Sequence, residues 1–135
     1  MIVVVCLCEN NGMLFNKRRQ SRDKLLIEDL SNVCGGALFI SDFSASLFEN
    51  SDISCIEASN PLEAADIGDY VFVENMHLSG YEKKIEGMII YKWNRRYPAD
   101  FFLDVLPADL DLNLKESSDF AGNSHEKITR EVYTR

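Results

Sequence analysis

One apolar segment determines how this chain folds: residues 2 to 7, Ile2-Val3-Val4-Val5-Cys6-Leu7. Its residues are apolar throughout, without the alternation of polar and apolar side chains that marks a half-buried strand. β-branched residues dominate it, and these favour extended backbone. A strand of this kind is buried on both faces, so we expect it in the middle of a sheet that other elements cover on both sides.

The composition describes one domain over residues 1-135. The chain has 14 Lys and Arg against 22 Asp and Glu, a net charge of -8, and 46% hydrophobic residues, which excludes intrinsic disorder. A chain of this length buries enough surface to fold without a disulfide or a metal. The acidic balance excludes a general nucleic-acid binder, because phosphates require a basic face. The longest apolar runs, at 2-7 and 88-91, are far shorter than the roughly 20 residues of a membrane span, and no signal peptide is evident, so we expect a cytoplasmic protein.

The cysteines and histidines form no metal or redox motif. No C-x-x-C spacing occurs, and a zinc hydrolase needs a dense cluster of histidines and acids that two isolated histidines cannot supply. We expect reduced, buried thiols and no metal site. The residues concerned are Cys6, Cys8, Cys34, Cys55, His77 and His125.

Strands and helices alternate along the first half of the chain. Ser21 is the expected N-cap of a helix that ends at Gly35-Gly36. Strands are predicted at 37-40, 53-56 and 70-73. A brief helix capped within residues 41-44 is predicted to run through Phe48, and another opens at Pro61 after Asn60. Alternation of this kind implies parallel strands joined by crossovers.

The second half is richer in strand-forming residues. Strands are predicted at 88-93, 101-105 and 126-133, and we expect all three to extend the sheet. The predicted fold class is a three-layer α/β/α arrangement around a mixed sheet, mostly parallel, with antiparallel strands at the C-terminal end.

The order of these elements resembles dihydrofolate reductase. The first strand runs into Glu9-Asn10-Asn11-Gly12 as that family's first strand runs into its loop. Residues 69-93 are similar to its strand, phosphate loop, short helix and next strand. Tyr97-Pro98-Ala99-Asp100-Phe101-Phe102 resembles its G-D-T-x-F-P segment, and 127-133 its last strand. The resemblance covers nearly the whole chain and implies a reductase-like mixed sheet.

The chain departs from this family where the nicotinamide cofactor binds. Glu74-Asn75 stands in place of the double glycine that admits the pyrophosphate, and Ser41-Asp42-Phe43-Ser44 replaces the G-R-x-T segment with its phosphate-binding Arg. Carboxylates at these positions repel phosphate. We therefore expect the NADPH site to be lost and no cofactor to bind.

The family's substrate-binding acid has three candidate counterparts in this chain, and the sequence does not choose among them. They are Asp23, Glu28 and Asp29.

The chain is also similar to a group of short bacterial proteins that are named ribonuclease Z. That activity requires a set of zinc ligands, and this sequence does not contain it. We do not expect zinc-dependent ribonuclease chemistry.

Four cations within six residues, at 17, 18, 19 and 22, form the first candidate ligand site. On a protein of charge -8 they favour a small anionic ligand or an acidic partner, and a guanidinium suits a carboxylate or phosphate better than an ammonium does. The alternative is a solvated loop that balances the acids of the following helix. The candidates here are Lys17, Arg18, Arg19, Arg22 and Asp23.

Two further segments are candidate ligand sites. Arg95, Arg96, Tyr97 and Asp100 surround a turn fixed by Pro98, and their alternative role is to hold two strands together. Glu74 and Asn75 follow a strand at its carboxyl end, where open α/β sheets bind ligands, and their alternative is a turn.

His125 is expected at the surface or at a sheet edge. It lies between Ser124 and Glu126, and neighbours in a strand point to opposite faces, so Ser124 and His125 cannot form a local Ser-His relay.

Three functions remain open. The first is a small-ligand or partner-binding protein that has lost the cofactor site. The second is an enzyme, with residual pteridine- or nucleotide-directed activity that uses Asp23 or Glu28 as the acid, or with ribonuclease activity. The third is a structural homodimer that pairs through a sheet edge in the C-terminal half.

Overall fold

The computed structural model describes all residues 1 to 135. A seven-stranded sheet forms its centre, in the order β5-β4-β6-β1-β7-β10-β9. The strands of this sheet are β1 (Ile2–Leu7), β4 (Ala37–Ile40), β5 (Ser54–Glu57), β6 (Tyr70–Phe72), β7 (Gly87–Lys92), β9 (Asn113–Phe120) and β10 (Ile128–Thr134).

β1 is the middle strand, as its sequence predicts. It pairs in parallel with β6 on one side and with β7 on the other, with Val4 opposite Phe72 and Ile89. β4 and β5 continue the parallel part of the sheet, whereas β10 is antiparallel to β7 and to β9. The mixed, mostly parallel α/β sheet with antiparallel C-terminal strands is confirmed.

Hydrophobic side chains pack on both faces of this sheet. Val3 and Val5 point into a cluster that includes Leu62 and Leu78, whereas Val4 points into the opposite cluster. Helix α1 (Lys24–Cys34) covers the Val4 face with Leu26 and Leu30, and Gly35 ends it at a φ of +64°. The short helix α2 (Pro61–Ala64) covers the other face.

The remaining helical segments are three 3-10 turns in the connections, at Asp42–Phe48, Glu82–Lys84 and Pro107–Leu110. None of these helices has the length and apolar character needed to cross a bilayer.

The segment after β1 forms a second, three-stranded sheet. β2 (Gly12–Phe15) pairs with β3 (Arg18–Arg19) in a hairpin and with β8 (Phe101–Phe102) on its other edge. The hairpin turns at Asn16 and Lys17, whose φ angles are +52° and +61°. The expected loop at 16-20 is thus ordered as a hairpin at the carboxyl end of the central strand.

Three expectations about elements are wrong. Phe101 and Phe102 belong to the small sheet and do not extend the main one. The N-cap of α1 is Asp23 and not Ser21, because the Asp23 carboxylate accepts the Leu25 N–H while the Ser21 hydroxyl faces His125. β9 was not expected, since its sequence is polar and it is an outer strand paired on one side only.

Candidate functional site

His125 is buried beside the first turn of α1. Its Nδ1 lies 2.8 Å from Oδ2 of Asp23, and the two residues are 5% and 3% exposed. Trp93, which follows β7, stacks on the imidazole with a ring-centroid distance of 4.6 Å. The loop between β9 and β10 therefore folds inward and inserts its histidine between the helix and the sheet. The expectation of a surface or edge position for His125 is wrong, because the residue precedes β10 and lies in this inward loop.

The carboxylate of Asp23 is saturated with hydrogen bonds. Oδ1 accepts the backbone N–H groups of Leu25 and Asn123, and Oδ2 accepts the N–H and hydroxyl of Ser124 in addition to its contact with His125. Burial alone would raise the pKa of this carboxyl, but the hydrogen bonds from His125, Ser124, Asn123 and Leu25 outweigh burial and hold the pKa well below its usual range. Asp23 is thus ionised at neutral pH.

Two hydroxyl groups face the other nitrogen of His125. The Ser21 Oγ and the Tyr97 hydroxyl oxygen each lie 3.0 Å from Nε2. With Asp23 ionised, the neutral ring carries its proton on Nδ1 and donates it to the carboxylate, which leaves the single Nε2 lone pair as an acceptor that the two hydroxyls share. Asp23, His125 and Ser21 thereby form a continuous chain of hydrogen bonds from a buried carboxylate to a half-buried alcohol.

Arg19 and Glu74 form a second polar contact a short distance away. The guanidinium donates from Nε to Oε1 and from Nη2 to Oε2 of Glu74, the latter at 2.8 Å. Ser44 donates its hydroxyl to the same carboxylate at 2.6 Å, and Glu74 is only 6% exposed. Arg19 also lies over the ring of Phe43 at 5.4 Å. The predicted cation and the predicted acid therefore neutralise each other across 55 residues of sequence.

Two concavities border these contacts. One is a small, partly open cavity of about 20 Å³ beside the hairpin, with room for about one water molecule, and Ser21, Asp23, Glu74 and Trp93 are among its lining residues. The other is an open groove of about 550 Å³, within the range of small-molecule sites. We call this second concavity the hairpin groove, and it is lined by Phe15, Asn16, Arg18, Arg19, Gln20, Tyr97 and Pro98.

The hairpin groove collects part of the predicted basic cluster. Arg18 and Arg19 line it, and the exposed Arg18 guanidinium makes no hydrogen bond or ion pair with the protein. Lys17 is exposed in the turn of the hairpin. Arg22 lines the small, partly open cavity instead, with a long contact of 3.5 Å from Nη2 to the Ser46 carbonyl.

The other predicted site residues are dispersed. Tyr97 lies in the groove, but Arg96 is exposed and approaches Glu9 at 3.9 Å, and Arg95 is exposed. Asp100 accepts the backbone N–H of Asn16 and so fixes the hairpin to the β8 segment. Asn75 accepts a hydrogen bond from the Ser41 hydroxyl at 3.3 Å.

Of the three acids near the start of α1, Asp23 lines the small cavity, and Glu28 and Asp29 line neither concavity. Asp29 is occupied elsewhere: it accepts the Tyr91 hydroxyl at 2.6 Å and pairs with Arg130 at 2.7 Å, which ties α1 to the sheet. Glu28 is exposed. No group of three or more His, Cys, Asp or Glu side chains is placed to hold a metal ion.

The fold that carries this site is a dihydrofolate reductase-like fold. No protein-family model matches the chain, and no curated protein matches it either. A solved structure that it resembles is dihydrofolate reductase from Enterococcus faecalis complexed with NADP(H) and RAB-propyl. The two share 6% sequence identity, with a TM-score of 0.67 over 99% of this chain and 95% of the reductase. The architecture is therefore shared while the side chains are almost entirely different.

Proposed function

We propose that this protein binds a small anion in the hairpin groove and that it does not use a nicotinamide cofactor. The observation that carries the proposal is Arg18, a guanidinium without a protein partner that lines a groove of about 550 Å³. Asn16 supplies an amide at the same groove, and Tyr97 and Phe15 supply aromatic surface. The amide nitrogen of Gln20 already donates to the Cys8 sulfur and to the Pro98 carbonyl. A guanidinium beside an amide donor and aromatic rings is suited to a small carboxylate or phosphate attached to a planar group.

The cofactor part of the proposal is supported by the contacts of Glu74. This residue follows β6, where the resemblance places the double glycine of the reductases. Its carboxylate is buried and bound by Arg19 and Ser44. A pyrophosphate at this place would meet a negative charge, and the guanidinium that could offset it is already engaged.

The contacts of Asp23 argue against a pteridine-directed enzyme that uses this residue as the acid. A general acid must carry a proton at the working pH, whereas the hydrogen bonds of Asp23 lower the pKa of its carboxyl. Glu28, the other acid considered, is exposed on α1 and lines neither concavity.

A thermal-shift and calorimetry screen tests the proposal. Folates, pterins, nucleotides, simple phosphorylated metabolites, NADPH and NADH are each added to the native protein, and RNA cleavage is measured in parallel. A ligand at 100 times its Kd stabilises the folded state by about 2.7 kcal/mol, which for a chain of this size raises the Tm by roughly 10 °C. We expect such a shift with at least one non-cofactor anion and none with NADPH.

Arg18→Ala localises the binding. The side chain is exposed and unpaired, so we expect an unchanged Tm in the absence of ligand and a loss of anion binding. Lys115→Ala is the matched control, because it removes one exposed positive charge from β9, outside the groove. Equal affinity for the anion in the native protein and in Arg18→Ala would exclude the hairpin groove as the binding site. Saturable NADPH binding at micromolar concentration would refute the loss of the cofactor site.

A further inference from the structure

We propose that Ser21, His125 and Asp23 form a nucleophilic relay that hydrolyses small esters. The three side chains come from two distant parts of the chain, and the folded structure joins them in one line. The Ser21 Oγ lies 3.0 Å from Nε2 of His125, and the Nδ1 of the same ring lies 2.8 Å from Asp23 Oδ2. Both distances are within the hydrogen-bond range that activates a serine nucleophile.

The protonation states fit this activity. Asp23 is ionised, and it fixes the imidazole with the proton on Nδ1, so Nε2 is the basic nitrogen and faces the serine hydroxyl. Stacking on Trp93 and burial in the inward loop hold the ring in place. Asp23 is a positioning residue in this scheme, since it acts on the serine only through the imidazole.

Ser21 is partly exposed. It lies between β3 and α1, outside any helix or strand, and it lines the small, partly open cavity. The backbone N–H groups of Ser21 and Arg22 donate to no other group of the protein, so neither is committed to another acceptor. The hairpin groove is adjacent, because Tyr97 is one of its lining residues and the Tyr97 hydroxyl lies 3.0 Å from the same Nε2.

The reaction has two balanced halves. Ser21 Oγ bonds to the acyl carbon of the ester while its proton moves to Nε2 of His125. The carbon–oxygen bond to the alcohol then breaks, and the leaving alcohol takes the proton from Nε2. Water repeats these steps on the acyl-serine, releases the carboxylic acid and restores the serine. Water is the only co-reactant, and no oxidant or reductant is needed.

The relay is independent of the proposed anion site, and a neutral probe tests it. The native protein is incubated with p-nitrophenyl acetate, which carries no charge for Arg18 to bind. We expect turnover above the buffer rate that falls about 100-fold or more in Ser21→Ala. The control is Ser79→Ala, which removes an exposed serine that makes no contact with His125 and should leave turnover unchanged.

Covalent labelling gives a second readout. Diisopropyl fluorophosphate should add one diisopropylphosphoryl group to the native protein with loss of fluoride, and peptide mapping should place the group on Ser21. Failure of the native protein to hydrolyse the ester, equal turnover in Ser21→Ala, or labelling of another residue would each overturn the proposal. Loss of anion binding in Arg18→Ala with ester turnover retained would separate the two sites.

The role of Asp23 is tested by Asp23→Asn. The amide of Asn can donate to Nδ1 and so favours the tautomer with the proton on Nε2, in which the ring is not a base toward Ser21. We expect kcat to fall at an unchanged KM. A merely structural role would lower the Tm and leave the kcat and KM of the remaining folded protein unchanged, and that result would remove Asp23 from the relay.

Discussion

Glu74→Gln is the substitution that tests the site most sharply, because stability and anion binding should change in opposite directions. Glu74 accepts hydrogen bonds from Nε and Nη2 of Arg19 and from the Ser44 hydroxyl. Gln keeps the size of the side chain and one acceptor oxygen but removes the charge. Arg19 is then left without its counter-ion at the wall of the hairpin groove.

The cost in stability follows from the burial of the pair. Removing one partner of a fully buried ion pair costs about 3 to 5 kcal/mol. Here the side chains of Arg19 and Glu74 are 20% and 7% exposed, and Gln still accepts a hydrogen bond, so we expect about 2 kcal/mol. For a chain of this length that loss lowers the Tm by roughly 6 to 10 °C.

The gain in binding follows from the released guanidinium. An anion about 4 Å from Arg19 gains up to roughly 4 kcal/mol at an effective dielectric constant near 20, before its own desolvation is subtracted. A remaining gain of about 1.4 kcal/mol corresponds to a tenfold lower Kd. We therefore expect about tenfold tighter binding of the anion that the native protein takes, or measurable binding of inorganic phosphate where the native protein shows none.

Thermal unfolding and titration calorimetry on the same preparations measure both effects. Glu63→Gln is the matched control, since it removes one negative charge from an exposed glutamate on α2 and should change neither quantity. A Glu74→Gln protein that is destabilised but binds anions no better would show that Arg19 takes no part in the groove. An unchanged Tm would show that the Arg19 ion pair makes no net contribution to stability.

Three further results are expected. The pKa of Asp23 is depressed in the folded protein, so its contribution to stability is complete above the unfolded pKa near 4 and is lost as the pH falls below that value. Asp23→Asn should therefore lower the Tm at pH 7 and flatten the decline of the Tm between about pH 4 and pH 2. A decline of the Tm over this pH range that is unchanged in circular dichroism would contradict this. Gly12→Ala places a Cβ in overlap with that of Ala99 and 2.8 Å from the Cys8 sulfur, so chemical unfolding should show a loss of about 1 to 3 kcal/mol. A loss below about 0.5 kcal/mol would mean that the hairpin shifts freely. Leu30→Ala leaves a cavity at a fully buried position of α1, and urea unfolding should show a free energy of unfolding lower by about 2 to 5 kcal/mol with an unchanged m-value. A decrease below about 1 kcal/mol would contradict the packing of the helix on the sheet.

The sequence predicts the fold well where a local pattern carries the information. Ile2–Leu7 shows no polar face and lies at the centre of the sheet, and Gly35 ends α1 where a left-handed residue is required. β9 has no such pattern. Its residues are mostly polar, and it is a strand because β10 offers a paired edge, which is a tertiary cause.

The candidate site was predicted less well, because its contacts join residues far apart in the chain. Arg19 and Glu74 were each recognised as charged site residues, but nothing local shows that they bind each other rather than a ligand. Ser124 was considered as the partner of His125, whereas the hydroxyl at Nε2 belongs to Ser21, 104 positions away. Nothing in the sequence around a single histidine before a predicted strand indicates that the histidine is buried. His125 is buried because the loop between β9 and β10 folds inward.

The central place of β1 also determines the order in which the chain can assemble. Its only partners are β6 and β7, and β6 begins at Tyr70. During synthesis this apolar strand therefore precedes both of its partners and has no neighbour to pair with until the chain has been made as far as Tyr70. A short β-branched segment that is exposed for so long is prone to pair with other copies of itself. The stretch that defines the fold is thus also the one that most needs protection while the protein is being made.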